Sequence, residues 1–125
     1  MHAGFGFIRN DQSTASMIAH LDKENPTIFA TGTSAPCTSV FKPLWVDTPL
    51  SAPELVPGPT YNAETLFWSH ELLHRAVLQN YSERLATYSA DRDTLEEKFI
   101  KEALELADAP RKERAEFSAE CFRQA

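Results

Sequence analysis

The sequence has no uninterrupted apolar run close to the ~20 residues that a membrane-spanning helix requires. Its first residues, MHAGFGFIRND, also lack the charged start and the long apolar stretch of a secretory signal peptide. Basic residues are too few for a nucleic-acid-binding surface, because 12 lysines and arginines stand against 18 acidic residues and the formal net charge is −6. We therefore expect a cytoplasmic protein with no nucleic-acid partner and no membrane partner.

Cysteine is also scarce, since the 2 cysteines of the chain show neither metal-ligand nor redox spacing. Cys37 and Cys121 are expected to be buried or idle thiols of a cytosolic chain. As a nucleophile, Cys37 would need a base, and His20 is a candidate across the predicted sheet. Nothing in the sequence fixes that approach, so the pattern favours a small buried residue at position 37.

The 125 residues fit a single domain or partial domain of the α+β class, with a β-rich half at 1–59 and a helical half at 60–125. Alternating or β-branched apolar residues predict a short antiparallel meander, in which the third strand ends at Pro43. The predicted strands are Thr14–Leu21, Thr27–Thr31 and Cys37–Phe41. Residues 48–59 carry four of the eight prolines and are expected to form an extended connector.

Three helices are predicted in the second half, beginning near Asn62, Asp93 and Pro110. The first is expected to run to Tyr88, because apolar residues recur along one face of it. Asp93 is a plausible N-cap, and Pro110 suits a first helical turn. The residues expected to face the core are Leu66, Leu73, Val77, Tyr81, Leu85 and Tyr88 in the first helix, Leu95, Phe99, Ala103 and Leu106 in the second, and Ala115, Ala119 and Phe122 in the third.

The stretch HELLHRA at positions 70–76 has the spacing of a helical zinc-protease signature. Residues four apart lie one above the other on a helix, so His70 and His74 could bind one zinc ion, with Glu71 as the general base. No histidine follows in the sequence, and a third ligand would have to be Glu96 or Glu97. A small zinc metallopeptidase is therefore the alternative interpretation of the chain.

Two features favour a structural use of this pair instead. Arg75 follows the second histidine directly, and a guanidinium beside a cation site raises the electrostatic cost of binding the ion. His70 also falls on the predicted apolar stripe between Leu66 and Val77, where histidines usually pack as core or interface groups. We therefore assign no metal ligand, no cofactor and no catalytic residue from the sequence.

Three stretches together resemble the C-terminal part of the secernin-like family, which is similar to the dipeptidase branch of the N-terminal-nucleophile hydrolases. They are MHAGFGFIRNDQSTASMIAHL, TGTSAPCTSVFKPLW and ETLFWSHELLHRAVLQNY, and they cover roughly residues 1–90 in order. The resemblance implies a four-layer αββα sandwich. It also implies a nucleophilic cysteine at the mature N-terminus, whose own α-amine acts as the base.

The chain departs from that family pattern at its start, where Met1 and His2 stand in place of a nucleophilic cysteine. Cys37 belongs to the internal TGT-x-x-PC motif and does not correspond to the nucleophile. The resemblance therefore predicts a C-terminal, nucleophile-lacking portion of a secernin-like dipeptidase that is non-catalytic alone. Three short strands with missing neighbours would leave an open sheet edge, so a homo-oligomer or an upstream polypeptide of the same family is the expected partner.

Overall fold

A computed structural model describes residues 12–22, 24–48 and 56–125 of the chain. This part is an α+β unit, in which a small antiparallel sheet is followed by helices, as predicted. The strands are β1 (Met17–His20), β2 (Thr27–Ala30) and β3 (Lys42–Trp45). The helices are α1 (Leu66–Leu78), α2 (Tyr81–Ala86), α3 (Ser89–Glu105) and α4 (Arg111–Gln124). None of the described helices is long and apolar enough to cross a membrane.

The sheet has the order β1-β2-β3, and both pairings are antiparallel. The register places Phe29 of β2 opposite Ile18 of β1 on one side and opposite Pro43 of β3 on the other. The first two strands lie inside the predicted segments. Because β2 is central, its Thr27 and Phe29 are buried, whereas every residue of β1 is exposed.

The predicted third strand at Cys37–Phe41 is wrong, since residues Pro36–Thr38 form a short 3₁₀ helix and the strand begins only at Lys42. Ala35 adopts a left-handed backbone with φ 48°, and the hydroxyl of Thr38 donates a 2.8 Å hydrogen bond to its carbonyl. These local bonds turn the chain before it can extend. Pro43 does not end the strand but lies within it, because β3 is at the edge of the sheet and proline is tolerated there.

The single helix predicted from Asn62 to Tyr88 is two helices in the structure. Asn80 has φ −155° and ψ 80°, which is not helical, and separates α1 from α2. The predicted apolar stripe also turns out differently, since Val77 is buried but Leu73 and Tyr81 are each 40% exposed. The buried face of α1 instead carries His70, His74 and Val77.

The last two helices follow the prediction more closely. α3 begins at Ser89, so Asp93 lies inside the helix and is not its cap, but the expected Phe99 and Ala103 are buried. α4 begins directly after Pro110. Two apolar clusters join these helices to the sheet and to the segment before β3. One cluster consists of Phe29, Trp45 and Ala103, and the other of Val40, Phe99 and Cys121.

An ion pair fixes α4 to the end of β3. Arg114 is 5% exposed and donates two hydrogen bonds of 3.0 and 2.8 Å to the carboxylate of Asp47, and a third of 3.0 Å to the carbonyl of Ala109. The bond from Arg114 holds the pKa of Asp47 below its ordinary value. Beyond this point, residues 49–55 of the predicted proline-rich connector lie outside the described residues.

Candidate functional site

The candidate site is the histidine pair of α1, which the sequence singled out. The i, i+4 spacing places both side chains on the face of α1 that is turned away from solvent, and they are only 6% and 3% exposed for His70 and His74. The segment that His70 contacts is the turn at residues 34–38 that precedes β3. The HELLHRA helix and the TGTSAPC segment therefore pack against each other here.

His70 is held by backbone and hydroxyl oxygens. Its Nε2 donates a 2.9 Å hydrogen bond to the carbonyl of Ser34, and the hydroxyl of Thr38 lies 3.3 Å from the same nitrogen. A carbonyl oxygen only accepts, so this nitrogen carries a hydrogen. Burial lowers the pKa of His70, and the bond to the Ser34 carbonyl opposes that shift without cancelling it. His70 is therefore a neutral, structural donor near pH 7.

His74 has one partner in the described part of the chain. Its Nε2 lies 3.2 Å from the side-chain oxygen of Gln12, which accepts a hydrogen bond from it. Its Nδ1 is buried and finds no hydrogen-bond partner among residues 12–22, 24–48 and 56–125. In both rings the hydrogen is therefore on Nε2. A ring nitrogen that carries a hydrogen has no lone pair for a metal ion, so neither Nε2 is a metal ligand in this arrangement.

Glu71, the base of the zinc interpretation, is occupied by other groups. Its carboxylate accepts a 2.8 Å hydrogen bond from Arg75 one turn later. Burial raises the pKa of Glu71, but bonds from the side chains of Ser34 and Arg75 outweigh burial and leave the pKa below its ordinary value. A carboxylate stabilised in this way is a weak base at neutral pH, whereas a general base works best with a pKa near the working pH.

The structure does not bring the proposed third ligand to the histidines. Glu96 instead accepts a 2.8 Å hydrogen bond from the backbone N–H of Phe41, and Glu97 is exposed on α3. Among residues 12–22, 24–48 and 56–125, no group of three histidine, cysteine, aspartate or glutamate side chains is placed to hold a metal ion. The described residues therefore hold His70 in a hydrogen bond to a backbone carbonyl and His74 in a hydrogen bond to a side-chain amide, and they offer no zinc centre.

Sequence reasoning missed the buried cation beside this pair. The ammonium of Lys42 is fully buried and donates hydrogen bonds of 2.8 and 2.6 Å to the carbonyls of Thr31 and Val40. Burial lowers its pKa to about 8. The charge on Lys42 also lowers the pKa of His70, so the two groups disfavour each other's protonated form. Because lysine side chains are almost always exposed, the sequence gives no reason to expect that Lys42 is buried.

Cys37 is exposed, which corrects the expectation of a buried residue there. Its backbone carbonyl accepts a 2.9 Å hydrogen bond from Arg92, and its thiol interacts with the hydroxyl of Tyr81. The cysteine lines a cavity of about 380 Å³. His20, the base considered for it, lines a different groove, at β1. Cys121 is buried as expected, and burial raises the pKa of its thiol to about 12.

Comparison with protein-family models, with curated proteins and with solved structures finds no match to this chain.

The buried state of His70 predicts a loss of stability in mild acid. The folded-state pKa of His70 lies below its ordinary value of 6.5. The contribution of the neutral side chain to the free energy of unfolding is therefore fully present above pH 6.5. As the pH falls below 6.5, the unfolded chain takes up a proton that the folded chain does not, and the free energy of unfolding falls. Urea unfolding midpoints measured between pH 7.5 and 5 should therefore fall less steeply in His70→Gln than in the unmodified protein.

The matched control for this experiment is His20→Gln, because His20 is exposed on β1. This substitution should leave the acid slope unchanged. An equal slope in His70→Gln and the unmodified protein would contradict the assignment of His70 as a neutral buried donor.

Proposed function

We propose that the chain is a non-catalytic portion of a secernin-like dipeptidase fold, which works by assembling with itself or with another polypeptide of that family. The observation that carries the proposal is the solvent exposure of β1. All four of its residues are exposed, although β1 is hydrogen-bonded to β2. Among the residues that the structure describes, β2 is the one strand that pairs with β1. A strand that is paired on one edge and exposed along its length is typical of a sheet that another chain completes.

The layering of the described residues supports the same proposal. α3 and α4 both pack against β3, and they form a helix layer beside the sheet. Strand alternation places Ile28 and Leu44 on the side of the sheet opposite Phe29 and Trp45, and both are only half-buried. In an αββα sandwich this side would pack against a second sheet. A second polypeptide supplying that sheet would bury these residues.

The histidine pair supports a structural role for the HELLH helix within such an assembly. His70 connects α1 to the turn at residues 34–38, which leads directly into β3. Glu71 is held by its bonds from Ser34 and Arg75. In this proposal, the WSHELLHR and TGTSAPC segments form a unit that orients the sheet, and no described histidine takes part in peptide hydrolysis.

The proposal is tested by adding a secernin-like polypeptide that begins with the family cysteine to the purified chain. We expect the two to co-elute on size exclusion and to hydrolyse dipeptides together, because the added cysteine supplies the nucleophile. A cysteine-to-alanine form of the added polypeptide is the control and should bind without activity. Failure to bind would overturn the proposal, and binding without activity from the intact cysteine would indicate a pure interaction module.

Metal content distinguishes the zinc metallopeptidase alternative. Elemental analysis of untagged protein is expected to find no stoichiometric zinc. One zinc per chain that is lost in His74→Ala but retained in His20→Ala would replace the proposed function with the zinc alternative. Glu71→Gln would then be expected to abolish peptidase activity while leaving the fold intact.

A further inference from the structure

An apolar groove lies between β1 and α3, on the side of the sheet that carries Phe29. Its volume is about 320 Å³, and its floor is formed by Phe29 and Phe41. Ile18 of β1 forms one wall, and Ile100 and Leu104 of α3 form the other. The three wall residues are 56%, 37% and 42% exposed, so a small molecule can reach them from solvent in the part of the chain that the structure describes. We call this surface the β1 groove.

Two polar side chains, Glu96 and His20, also line the β1 groove. Glu96 accepts a 2.8 Å hydrogen bond from the backbone N–H of Phe41, which directly precedes β3. His20 lies toward the opposite end of the sheet, because it pairs with Thr27, and Thr27 pairs with Trp45 at the far end of β3. The groove is therefore apolar in its middle and carries one polar group toward each end.

The carboxylate of Glu96 can accept further hydrogen bonds. Its Oε2 receives the bond from Phe41, whereas its Oε1 accepts none from residues 12–22, 24–48 and 56–125. A carboxylate has room for about four hydrogen bonds. Glu96 is also half-buried, and a charge that is partly removed from water is stabilised most by a cation in direct contact with it. The groove therefore presents an acceptor that a cationic donor would satisfy.

The buried ammonium of Lys42 does not serve as that donor. The negative charge of Glu96 acts on Lys42, since it opposes the lowering of the pKa of Lys42 by burial. The hydrogen bonds of the ammonium nevertheless go to the carbonyls of Thr31 and Val40. Coulomb attraction weakens with distance, so a cation that touches Glu96 from the groove would interact with it more strongly than Lys42 does.

α3 presents the carboxylate and the apolar wall in one line. Glu96, Ile100 and Leu104 are spaced by four residues and share one side of the helix. They extend over two helical turns, or about 11 Å. A ligand with a cation at Glu96 can therefore lay an apolar group of up to that length along the wall, toward His20. A mostly apolar lining with a few polar groups that fix orientation is typical of small-molecule sites.

We propose that the β1 groove binds a small organic amine, whose ammonium group donates hydrogen bonds to Glu96 and whose aromatic or branched aliphatic part packs on the apolar floor and on α3. The carboxylate selects a cation over an anion, and the apolar floor selects an amine with an apolar group over a purely polar one. His20 bounds the far end of the groove, so its ring does not meet the ammonium. The inference does not rest on the proposed function, because a small ligand in this groove requires no second polypeptide.

The test is a titration of the full chain with phenethylamine at pH 7, followed by two-dimensional amide NMR. An alkyl amine is an ammonium at this pH. The backbone N–H of Phe41 reports on the site, because its hydrogen-bond acceptor is Glu96. We expect phenethylamine to bind at least about 10-fold more tightly than phenethyl alcohol, which has the same ring and chain but no charge. Hydrocinnamate, which carries a carboxylate instead, should not shift this signal, because like charges repel.

Two substitutions with matched controls test the residues of the site. Glu96→Gln removes the charge but keeps an oxygen that can accept the bond from Phe41. It should weaken phenethylamine binding at least about 10-fold and leave phenethyl alcohol unchanged. Glu97→Gln is its control, since Glu97 is exposed on the same helix and does not line the groove. Ile100→Ala should weaken both ligands by about 5-fold, whereas Leu72→Ala on α1 should affect neither.

Three results would overturn the inference. One is a dissociation constant for phenethylamine above roughly 10 mM, where the binding free energy is too small for a specific site. Another is equal affinity for phenethylamine and phenethyl alcohol, which would indicate an apolar surface without a cation site. The third is tighter binding of hydrocinnamate than of the amine. All three are measured on the unmodified chain, so they decide the question even where Glu96→Gln fails to fold.

Discussion

Replacing Phe99 with alanine is expected to lower the free energy of unfolding by about 3–5 kcal/mol, the range for truncating a buried aromatic side chain. Phe99 is 1% exposed and forms a cluster with Val40 and Cys121, against which Leu95 and Phe117 also pack. It connects α3 to α4 and to the segment that leads into β3. Truncation leaves a cavity among groups that belong to three different elements, which cannot all move inward together.

Urea unfolding at pH 7 and at one fixed protein concentration measures this effect. Leu72→Ala is the control, because a residue that is 53% exposed on α1 should change the free energy of unfolding by no more than about 0.5 kcal/mol. Phe99→Leu keeps most of the apolar volume, and it should give an intermediate loss even where Phe99→Ala fails to fold. Equal losses in Phe99→Ala and Leu72→Ala would contradict the placement of this core.

The helices of the second half were predictable where apolar periodicity and packing agree. Phe99 and Ala103 are four residues apart in α3, and both are buried as the pattern indicates. Pro110 is followed at once by α4, as its fixed φ favours. The sequence does not separate α1 from α2, because one apolar pattern continues through both helices. The break between them is visible only in the non-helical backbone angles of Asn80.

The strand before Pro43 was mispredicted for a similar reason. The CTSVF segment contains β-branched and aromatic residues, and such composition favours a strand. It cannot reveal that Ala35 adopts a left-handed conformation or that the hydroxyl of Thr38 bonds back to the carbonyl of Ala35. A local side-chain bond of this kind competes with sheet formation, and composition alone does not rank the two.

The candidate site shows the same division between local and tertiary information. Helical spacing was enough to place His70 and His74 on one face of α1. Their hydrogen-bond partners, Ser34 and Gln12, are 36 and 62 residues away in sequence, and only the fold brings them together. The metal-binding pattern and the packed-core pattern share one spacing, so the sequence alone could not decide between them.

The buried ammonium of Lys42 predicts that the protein gains stability in mild alkali. The pKa of Lys42 is lowered by burial from its ordinary value of 10.5 to about 8 in the folded state. Between these two pH values the unfolded chain holds a proton that the folded chain has released, so the free energy of unfolding rises with pH. The gain is about 1 kcal/mol between pH 8 and 9, since one pH unit corresponds to 1.4 kcal/mol at most.

Cys121 should offset this gain at higher pH. Burial raises its folded-state pKa from 9.0 to about 12, so above pH 9 the unfolded chain loses a proton that the folded chain keeps. The free energy of unfolding of the unmodified protein is therefore expected to rise from pH 8 to 9 and then to level off. In a Cys121→Ala background the rise should continue, and it should reach roughly 2–3 kcal/mol between pH 8 and 10.

Urea unfolding curves at half-unit steps from pH 7 to 10 measure both the rise in the free energy of unfolding and its levelling above pH 9. Lys42→Met should remove the rise between pH 8 and 9, because the titrating group is gone while an apolar side chain of similar length remains. Lys112→Met is the matched control, since the side chain of Lys112 is 87% exposed on α4 and its removal should leave the rise in place. If Lys42→Met keeps the rise, or if the unmodified protein shows none, then the ammonium of Lys42 is not buried in the folded protein.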